Sequence, residues 1–279
     1  MAIAFNKILV PVDFSINTEI AIKKAAGLVG GGEAMLHLLH VVKPGRLAKH
    51  QFRQWVVEKE LEQLRETIKT SHPAIKVKIH VLRGHSVQRL ILDCAAMLKP
   101  DLIIIGKQNN RRRWSIFPRI SPDVIAKKSD CPVLTVKPGS SESRTRVIVI
   151  PIRDFLPERK LEWGVLLAKR YKAQIHLLAI QDHPEPREWA LPQVFLKAYH
   201  HLREHLHQPI EYSASGRHSP AKATLNYAER IMADMILVNP ETESGVAGFT
   251  GWRHISDLVG KDSKIQVLDV EPYDNYKPR

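Results

Sequence analysis

The chain has 279 residues, 44% of them hydrophobic and 25% charged, a composition typical of folded globular proteins rather than disordered or fibrous ones. This length suits two domains of ordinary size better than one. The longest apolar runs, such as Ile8–Val12 and Val147–Ile152, are too short to cross a bilayer, and the two cysteines cannot form a disulfide framework. We therefore expect a cytoplasmic protein without a membrane segment.

The positive charge is concentrated in the first half of the chain. The net charge is +13; residues 1–140 carry 23 Lys and Arg against 11 Asp and Glu, whereas residues 141–279 carry 19 against 18. A field of this sign attracts anions such as nucleotides, nucleic acids and acidic proteins without choosing among them. Chance divergence of two surfaces explains the asymmetry equally well, so charge alone assigns no ligand.

Short apolar strands alternate with helices along the first half. A continuously apolar strand is expected where both faces of a sheet are covered, and helical spacing of apolar residues predicts the segments between strands. Alternation of this kind indicates a parallel, doubly wound sheet. The predicted strands are 8–12, 34–42, 75–82, 102–105 and 131–136, and the predicted helices are 15–29 with Ser15 at the N-cap, 50–71, 87–98 and 121–129.

The second half repeats the first. Five segments recur in the same order about 140 residues apart, which indicates a duplicated domain. Lys137–Ser143 is rich in turn-forming residues and predicts the linker, so we place the two domains at residues 1–138 and 145–273. We expect the longest helix of the second half near 187–207. The clearest matched pairs are Lys7–Phe14 with Val147–Phe155, His37–Val41 with His176–Ile180, Lys99–Ile105 with Met232–Val238, and Cys131–Val136 with Ile265–Val270.

Four segments of the first half resemble the universal stress protein family: Lys7–Ser15, Leu38–Val41, Asp101–Gly106 and Ser129–Val136. The second half resembles it more weakly, so the whole chain looks like a tandem member. The resemblance implies, in each half, a five-stranded parallel sheet of order 3-2-1-4-5, the adenine nucleotide alpha hydrolase-like α/β fold. It also implies that the fifth strands pair between the domains, which would hide two sheet edges. Those strands are Val133–Val136 and Val267–Val270.

The candidate site lies where the strand order reverses. Ligands of open α/β sheets bind beyond the carboxyl ends of the strands at this switch point, here between Pro11–Ser15 and Gly106–Ser121. The resemblance implies that Asp13 lies beside an adenine ring and that Val41 backs the ring. It also implies that a Gly-x2-Gly-x9-Gly-Ser/Thr loop beginning at Gly106 holds the phosphates through backbone N–H groups.

The loop after Gly106 departs from that pattern. Asn109 replaces the second glycine, Arg119 replaces the third, and Ile120 stands where a phosphate-binding hydroxyl is expected. The backbone cradle is therefore broken. Side chains offer a different way to hold an anion, since arginine binds phosphate bidentately and Trp114 offers a face for stacking. The cations of this loop are Lys107, Arg111, Arg112, Arg113 and Arg119.

Our leading hypothesis is a non-enzymatic stress-response protein whose first-half crevice binds a phosphorylated anion or docks an acidic protein partner. One alternative is an adenine nucleotide-binding protein that takes ATP with Mg²⁺ and hydrolyses it weakly; another is an interaction scaffold without a small ligand, the basic loop being simply solvated. No catalytic constellation is present, and specific nucleic-acid recognition is not expected from one arginine cluster. Homodimerisation of the tandem chain stays open. The candidate contacts are Pro11, Asp13, Val41, Gly106, Lys107, Asn109, Arg111, Arg112, Arg113, Arg119 and Ser121.

The second half is further from a binding site. Arg153 replaces the adenine-side Asp unless Asp154 shifts to serve, and the loop Glu241–Trp252 has glycines at 245, 248 and 251 but lacks the later Gly-Ser/Thr. Glu241 and Glu243 would repel a phosphate. We expect this segment to be a flexible surface loop and this half to have a structural, pairing role.

Several histidines invite a metal-site interpretation. His201 and His205 lie one helical turn apart in the stretch 200–207, which suits zinc or nickel, but no third ligand is identified. We therefore expect no metal and interpret the stretch as an exposed helix end. His37 and His176 recur in the two repeats on strands, so we expect hydrogen-bonded packing residues there.

Overall fold

The computed structural model describes residues 5–29, 34–44, 47–107, 120–140, 144–180, 191–215, 219–240, 242–243, 245–248, 251–260 and 262–272. For residues 47–54, 245–248 and 251–253 it describes the backbone alone.

Five strands and four helices alternate strictly in the described part of the first half, as predicted. Pro73 follows the long second helix, and Lys99 and Asp130 adopt left-handed conformations that end the third and fourth helices. The elements are β1 Lys7–Val12, α1 Ile16–Leu28, β2 Met35–Val42, α2 Leu47–Ser71, β3 Lys76–Arg83, α3 Val87–Leu98, β4 Leu102–Gly106, α4 Pro122–Ser129 and β5 Val133–Val136, followed by a 3-10 turn at Pro138–Ser140.

The second half repeats this alternation and inserts a hairpin after its fourth strand. The elements are β6 Val147–Ile152, α5 Glu158–Tyr171, β7 Gln174–Ile180, α6 Gln193–His205, β8 Ile210–Ser215, α7 Pro220–Arg230, β9 Met235–Val238, β10 Gly245–Gly248, β11 Gly251–His254, α8 Ile255–Leu258 and β12 Gln266–Asp269.

Two sequence predictions for the second half are wrong. The helix expected near 187–207 begins only at Gln193, because Pro192 takes the N-cap; it has 13 residues, one fewer than α5. The glycine-containing segment expected to be a flexible loop instead forms the antiparallel hairpin β10–β11, in which Gly245 pairs with His254 and Gly248 with Gly251. Backbone hydrogen bonds pair residues 245–248 with residues 251–254, although three of these residues are glycines.

All the remaining strands join one ten-stranded sheet of order β3-β2-β1-β4-β5-β12-β9-β6-β7-β8. Within each half the strands are parallel in the predicted order 3-2-1-4-5. The halves meet through the antiparallel pair β5–β12, in which Leu134 lies opposite Leu268, Thr135 opposite Val267 and Val133 opposite Asp269. The register is centred on the two leucines, so the two halves are related by an approximate two-fold axis. The predicted pairing of the fifth strands is confirmed.

The two faces of the sheet are covered differently. On one face, α1, α2, α5 and α6 pack over a single core that runs through both halves. The ring centroids of Phe5 and Trp163 lie 5.4 Å apart across the junction. On the other face, α3 and α4 cover one core and α7 and α8 cover another. Thr135 and Asp269 lie between those two cores, so the junction on this face is polar. None of the helices in the described part of the chain has the length and apolar character needed to cross a membrane.

Candidate functional site

The first-half switch point gathers the ends of β1 and β4. Strand β1 pairs with both β2 and β4, so Asp13, which follows β1, and Gly106, the last residue of β4, lie at the same edge of the sheet. Ser121 lies at the N-cap of α4 beside this edge. Of the predicted contacts, Asn109, Arg111, Arg112, Arg113 and Arg119 lie outside the described residues.

Asp13 organises the turn between β1 and α1. Its Oδ1 accepts hydrogen bonds from Ser15 N–H at 3.0 Å, Ser15 Oγ–H at 2.5 Å and Thr18 Oγ1–H at 2.6 Å. Its own N–H donates to Thr18 Oγ1 at 3.1 Å. Ser15 is the N-cap of α1, as predicted, but its hydroxyl serves Asp13 rather than the helix. The carboxylate is therefore held in place by three donors to a single oxygen.

Gly106 has a packing role that does not require a ligand. A Cβ added there would lie 2.1 Å from the carbonyl oxygen of Asn17, on the backbone of α1. The absence of a side chain therefore allows α1 to pack against the end of β4. This explains the glycine by helix–strand contact, in addition to the phosphate approach implied by the family resemblance.

The wall expected behind an adenine ring is part of the core. Val41 is only 2% exposed and belongs to the core beneath α3 and α4, and Pro11 is also buried. Phe14, at a left-handed φ of 57°, packs against the His40 ring at 5.0 Å, and His40 Nδ1 lies 2.8 Å from the carbonyl oxygen of Val12. The Phe14–His40 contact lies on the opposite face of the sheet, the face of α1 and α2, so the burial of Val41 comes from the core beneath α3 and α4.

The Lys107 side chain contacts the other half of the molecule. Its Nζ lies 2.9 Å from Asp257 Oδ1 and donates to Ser256 Oγ at 3.1 Å. Its side chain is 14% exposed, so this ion pair lies near the surface of the junction. The cation predicted to attract an external anion already has an internal carboxylate as its partner.

The acceptors of Lys107 belong to a buried polar network. His254 Nδ1 accepts Ser256 N–H at 3.0 Å and lies 2.5 Å from Ser256 Oγ, while His254 Nε2 donates to Asp269 Oδ1 at 2.8 Å. Burial raises the pKa of Asp269, partly offset by His254. Ser256, His254 and Asp269 are the residue types of a serine–histidine–carboxylate triad. However, Ser256 is only 1% exposed, and it contacts His254 Nδ1, the nitrogen that faces the carboxylate in catalytic triads. The network therefore links structural elements.

Lys137 forms a second link across the junction. It lies just beyond β5, is 1% exposed, and donates from Nζ to the carbonyl oxygen of Val259 at the end of α8. Burial, with repulsion from Lys107, lowers the pKa of Lys137 to about 7, against the opposing influence of Asp257. Two lysines from the first half thus hold α8 of the second.

Ser121 takes part in the hydrogen bonding beside the first-half switch point through its backbone. Its N–H donates to Gln88 Oε1 at 3.0 Å, and its hydroxyl makes no capping bond to α4. Asp123, in the first turn of α4, is 4% exposed, and its Oδ1 has no hydrogen-bond partner in the described part of the chain.

The second-half switch point is occupied by an ion pair that the sequence did not reveal. Lys160 Nζ lies 2.6 Å from Glu243 Oε2 and donates to the carbonyl oxygen of Pro151 at 2.7 Å, and Asn239 N–H donates to the same Glu243 oxygen at 2.9 Å. Lys160 and Glu243 are 0% and 1% exposed. Glu243, expected to lie in a surface loop and repel phosphate, is instead buried against a lysine. Burial raises its pKa and lowers that of Lys160, while their attraction opposes both shifts.

The strand histidines are hydrogen-bonded, as expected. His37 Nδ1 lies 2.8 Å from His80 Nε2, and His176 Nδ1 lies 3.1 Å from the Tyr227 hydroxyl. On α6, His205 Nδ1 lies 2.7 Å from the backbone carbonyl of His201. Among the residues that the structure describes, no cluster of three or more His, Cys, Asp or Glu is arranged to hold a metal.

Comparisons with known proteins agree with this architecture. Residues 4–137 match the model of the universal stress protein family. The fold resembles that of a universal stress protein from Archaeoglobus fulgidus DSM 4304, at 16% identity over 98% of this chain and 100% of the other, with a TM-score of 0.67. A functionally unknown protein from Pseudomonas aeruginosa PAO1 aligns at 17% identity over 98% of this chain and 95% of its own, with a TM-score of 0.61. The cytoplasmic domain of a prokaryotic cation chloride cotransporter aligns at 11% identity over 95% of both chains, with a TM-score of 0.57. No curated protein sequence matches the chain.

The fold and its two switch points define a tandem, doubly wound α/β protein. At these identities the solved structures establish the shared fold, and the family match covers residues 4–137, just under half of the chain. Residues 4–137 belong to the universal stress protein family, and the ten-stranded sheet fits two such domains in tandem.

Proposed function

We propose that the protein is a non-enzymatic universal stress protein that binds a phosphorylated anion at the switch point of its first half. The difference between the two switch points carries this proposal. The second is filled by the buried Lys160–Glu243 pair. The first has Lys107 at its edge with a partly exposed side chain, and the arginine-rich sequence 111–119 follows shortly afterwards in the chain.

The described contacts suit recognition of phosphate by side chains. Lys107 can exchange Asp257 for an incoming anion, because their ion pair lies near the surface and is weakened by water and salt. Arginine side chains replace the glycine backbone cradle, and each guanidinium matches two phosphate oxygens. Val41 is packed in the core, which favours a phosphorylated group over an adenine ring as the recognised element.

The absence of catalysis is part of the proposal. Hydrolysis needs an activated nucleophile within reach of a bound substrate. Asp13 is held by the turn that it organises, and the serine–histidine–aspartate set at the junction is buried. The two cysteines are free and buried, in keeping with the cytoplasmic location that we propose.

Thermal melting with ligands tests the function. We would measure the melting temperature with ATP, ADP, AMP and inorganic phosphate, each with and without Mg²⁺. A ligand that binds the folded state raises the melting temperature once its concentration exceeds the dissociation constant. We expect a saturable rise with every phosphate-bearing ligand and no requirement for Mg²⁺.

A variant with Arg111, Arg112 and Arg113 all changed to Ala should lose this rise and keep its ligand-free melting temperature. The matched control changes three exposed first-half lysines to Ala, which removes the same charge and should preserve the rise; these are Lys23, Lys69 and Lys128. A Mg²⁺-dependent rise with ATP well above that with phosphate would favour the nucleotide-binding alternative. No rise at millimolar ligand would refute anion binding and favour docking of an acidic protein.

A further inference from the structure

The two switch points correspond residue by residue, and this locates Glu243 in the second. Strand β1 pairs with β4 in the register Ile8 to Leu102, and β6 pairs with β9 in the equivalent register Ile148 to Met235. Pro151 and Asn239 therefore stand where Pro11 and Gly106 stand in the first half. The Glu243 carboxylate contacts both of these second-half positions, through Lys160 and directly, so it occupies the place where open α/β sheets bind ligands.

The groups around Glu243 form the kind of donor set that binds an anion. A lysine ammonium and a backbone N–H converge on a single oxygen, at 2.6 Å and 2.9 Å. Charge-assisted donors of this type recognise carboxylates and phosphates in many proteins. Lys160 is the third residue of α5, the position that Thr18 occupies in α1. The second half therefore places a cation where the first half has a hydroxyl.

A buried lysine requires an anion beside it. Lys160 is 0% exposed, and an ammonium group without a counter-charge would be strongly destabilised there. Asp154 lies close enough to attract Lys160 and repel Glu243, but the short contact is made by Glu243. The Glu243 carboxylate belongs to the turn that directly follows β9, whereas Lys160 lies on α5, 83 positions earlier in the chain.

We propose that the second-half switch point is an anion site that the chain fills with its own Glu243 carboxylate, and that a small monovalent anion such as formate takes this place when the carboxylate is removed. A tethered carboxylate has a high effective concentration, so free anions do not displace it from the natural chain. The same contact holds the start of the segment that carries Ser256 and Asp257 to Lys107. This proposal is independent of ligand binding in the first half.

Rescue of a cavity variant by formate tests it. The Glu243→Ala variant should melt at a lower temperature than the natural chain, and added sodium formate should raise its melting temperature saturably. A rise of about 3 °C is expected when formate exceeds its dissociation constant about tenfold. The natural chain and a Glu229→Ala control, which changes an exposed glutamate on α7, should show only the small general effect of salt.

Two further variants make the result decisive. The double variant Lys160→Met with Glu243→Ala lacks the cation and should not respond to formate. Glu243→Gln loses the negative charge and should therefore melt at a lower temperature, but it keeps an oxygen for Asn239 N–H and fills the space, so formate should not raise its melting temperature. If Glu243→Ala folds only in the presence of the anion, its refolding yield with formate replaces the melting temperature as the quantity measured.

Sodium chloride at equal ionic strength is the second probe. A rise in the melting temperature of Glu243→Ala with either anion, larger than the rise in the double variant, supports the site. An equal response of the single and double variants, or none in either, would overturn the proposal.

Discussion

The His37–His80 pair should make the stability of the protein depend on pH. Burial, assisted by the neighbouring charges of His80, Lys78 and Lys7, lowers the pKa of His37 from 6.5 to about 4. The unfolded chain therefore binds a proton at higher pH than the folded chain does. Stability is greatest above about pH 6.5 and falls as the pH drops toward 4, because protons then favour the unfolded state.

The magnitude follows from the two pKa values. A fall from 6.5 to about 4 corresponds to about 3 kcal/mol once the pH is below 4, and to about 2 kcal/mol at pH 5. We would change His37 to Leu, which removes the titrating ring from a position that is 2% exposed. The free energy of unfolding, from urea denaturation at pH 8 and pH 5, should drop about 2 kcal/mol less in this variant than in the natural chain.

The control is His85→Leu, which removes an exposed histidine and should retain the pH dependence of the natural chain. The comparison uses the difference between two pH values, so it is insensitive to packing defects that lower stability equally at both. If His37→Leu and the natural chain lose the same free energy between pH 8 and pH 5, the buried pair does not control the pH dependence and this reasoning is refuted.

Two more predictions concern the first-half switch point. Gly106→Ala should destabilise the chain by about 1–3 kcal/mol in thermal or urea unfolding, because its methyl group would lie 2.1 Å from the Asn17 carbonyl oxygen. Gly27→Ala, in α1 with nothing within 4 Å of its added Cβ, should be neutral or stabilising; equal losses would contradict the packing argument. Asp257→Asn should strengthen phosphate binding severalfold in calorimetric titration, because it removes the internal competitor for Lys107. An unchanged or weaker affinity would show that Lys107 takes no part in binding.

The alternation of strands and helices could be predicted because burial leaves a strong pattern in the sequence. Strands covered on both faces must be apolar throughout, and β1 and β6 follow this rule closely. The duplication could also be predicted from the sequence, since both halves fold into the same arrangement of strands and helices and carry matching segments in the same order. The pairing of β5 with β12 was predicted only from the family resemblance, because the sequence of an edge strand does not itself specify which strand it pairs with.

The contacts at the two switch points could not be predicted in the same way. Lys107 and Asp257 are brought together only by the antiparallel junction of the halves, and Lys160 and Glu243 only by the neighbouring strand ends. One signal in the sequence does point to the second pair. Lys160 precedes Gly164 and Leu167 on the buried side of α5, and a lysine on such a face needs an anionic partner. The sequence does not say which carboxylate supplies it.

The pairing of charges at the junction bears on how a ligand would be recognised. One lysine at each switch point, Lys107 in the first half and Lys160 in the second, is paired with a carboxylate from the segment between β9 and β12. The second pair is buried and the first is partly exposed, so only Lys107 can change partner at moderate cost. Lys107 alone supplies one charge, whereas a phosphate monoester carries nearly two at neutral pH. Recognition of such an anion therefore requires the arginines of the sequence 111–119. Changing Asp257 to a lysine should not restore binding in a variant that lacks these arginines.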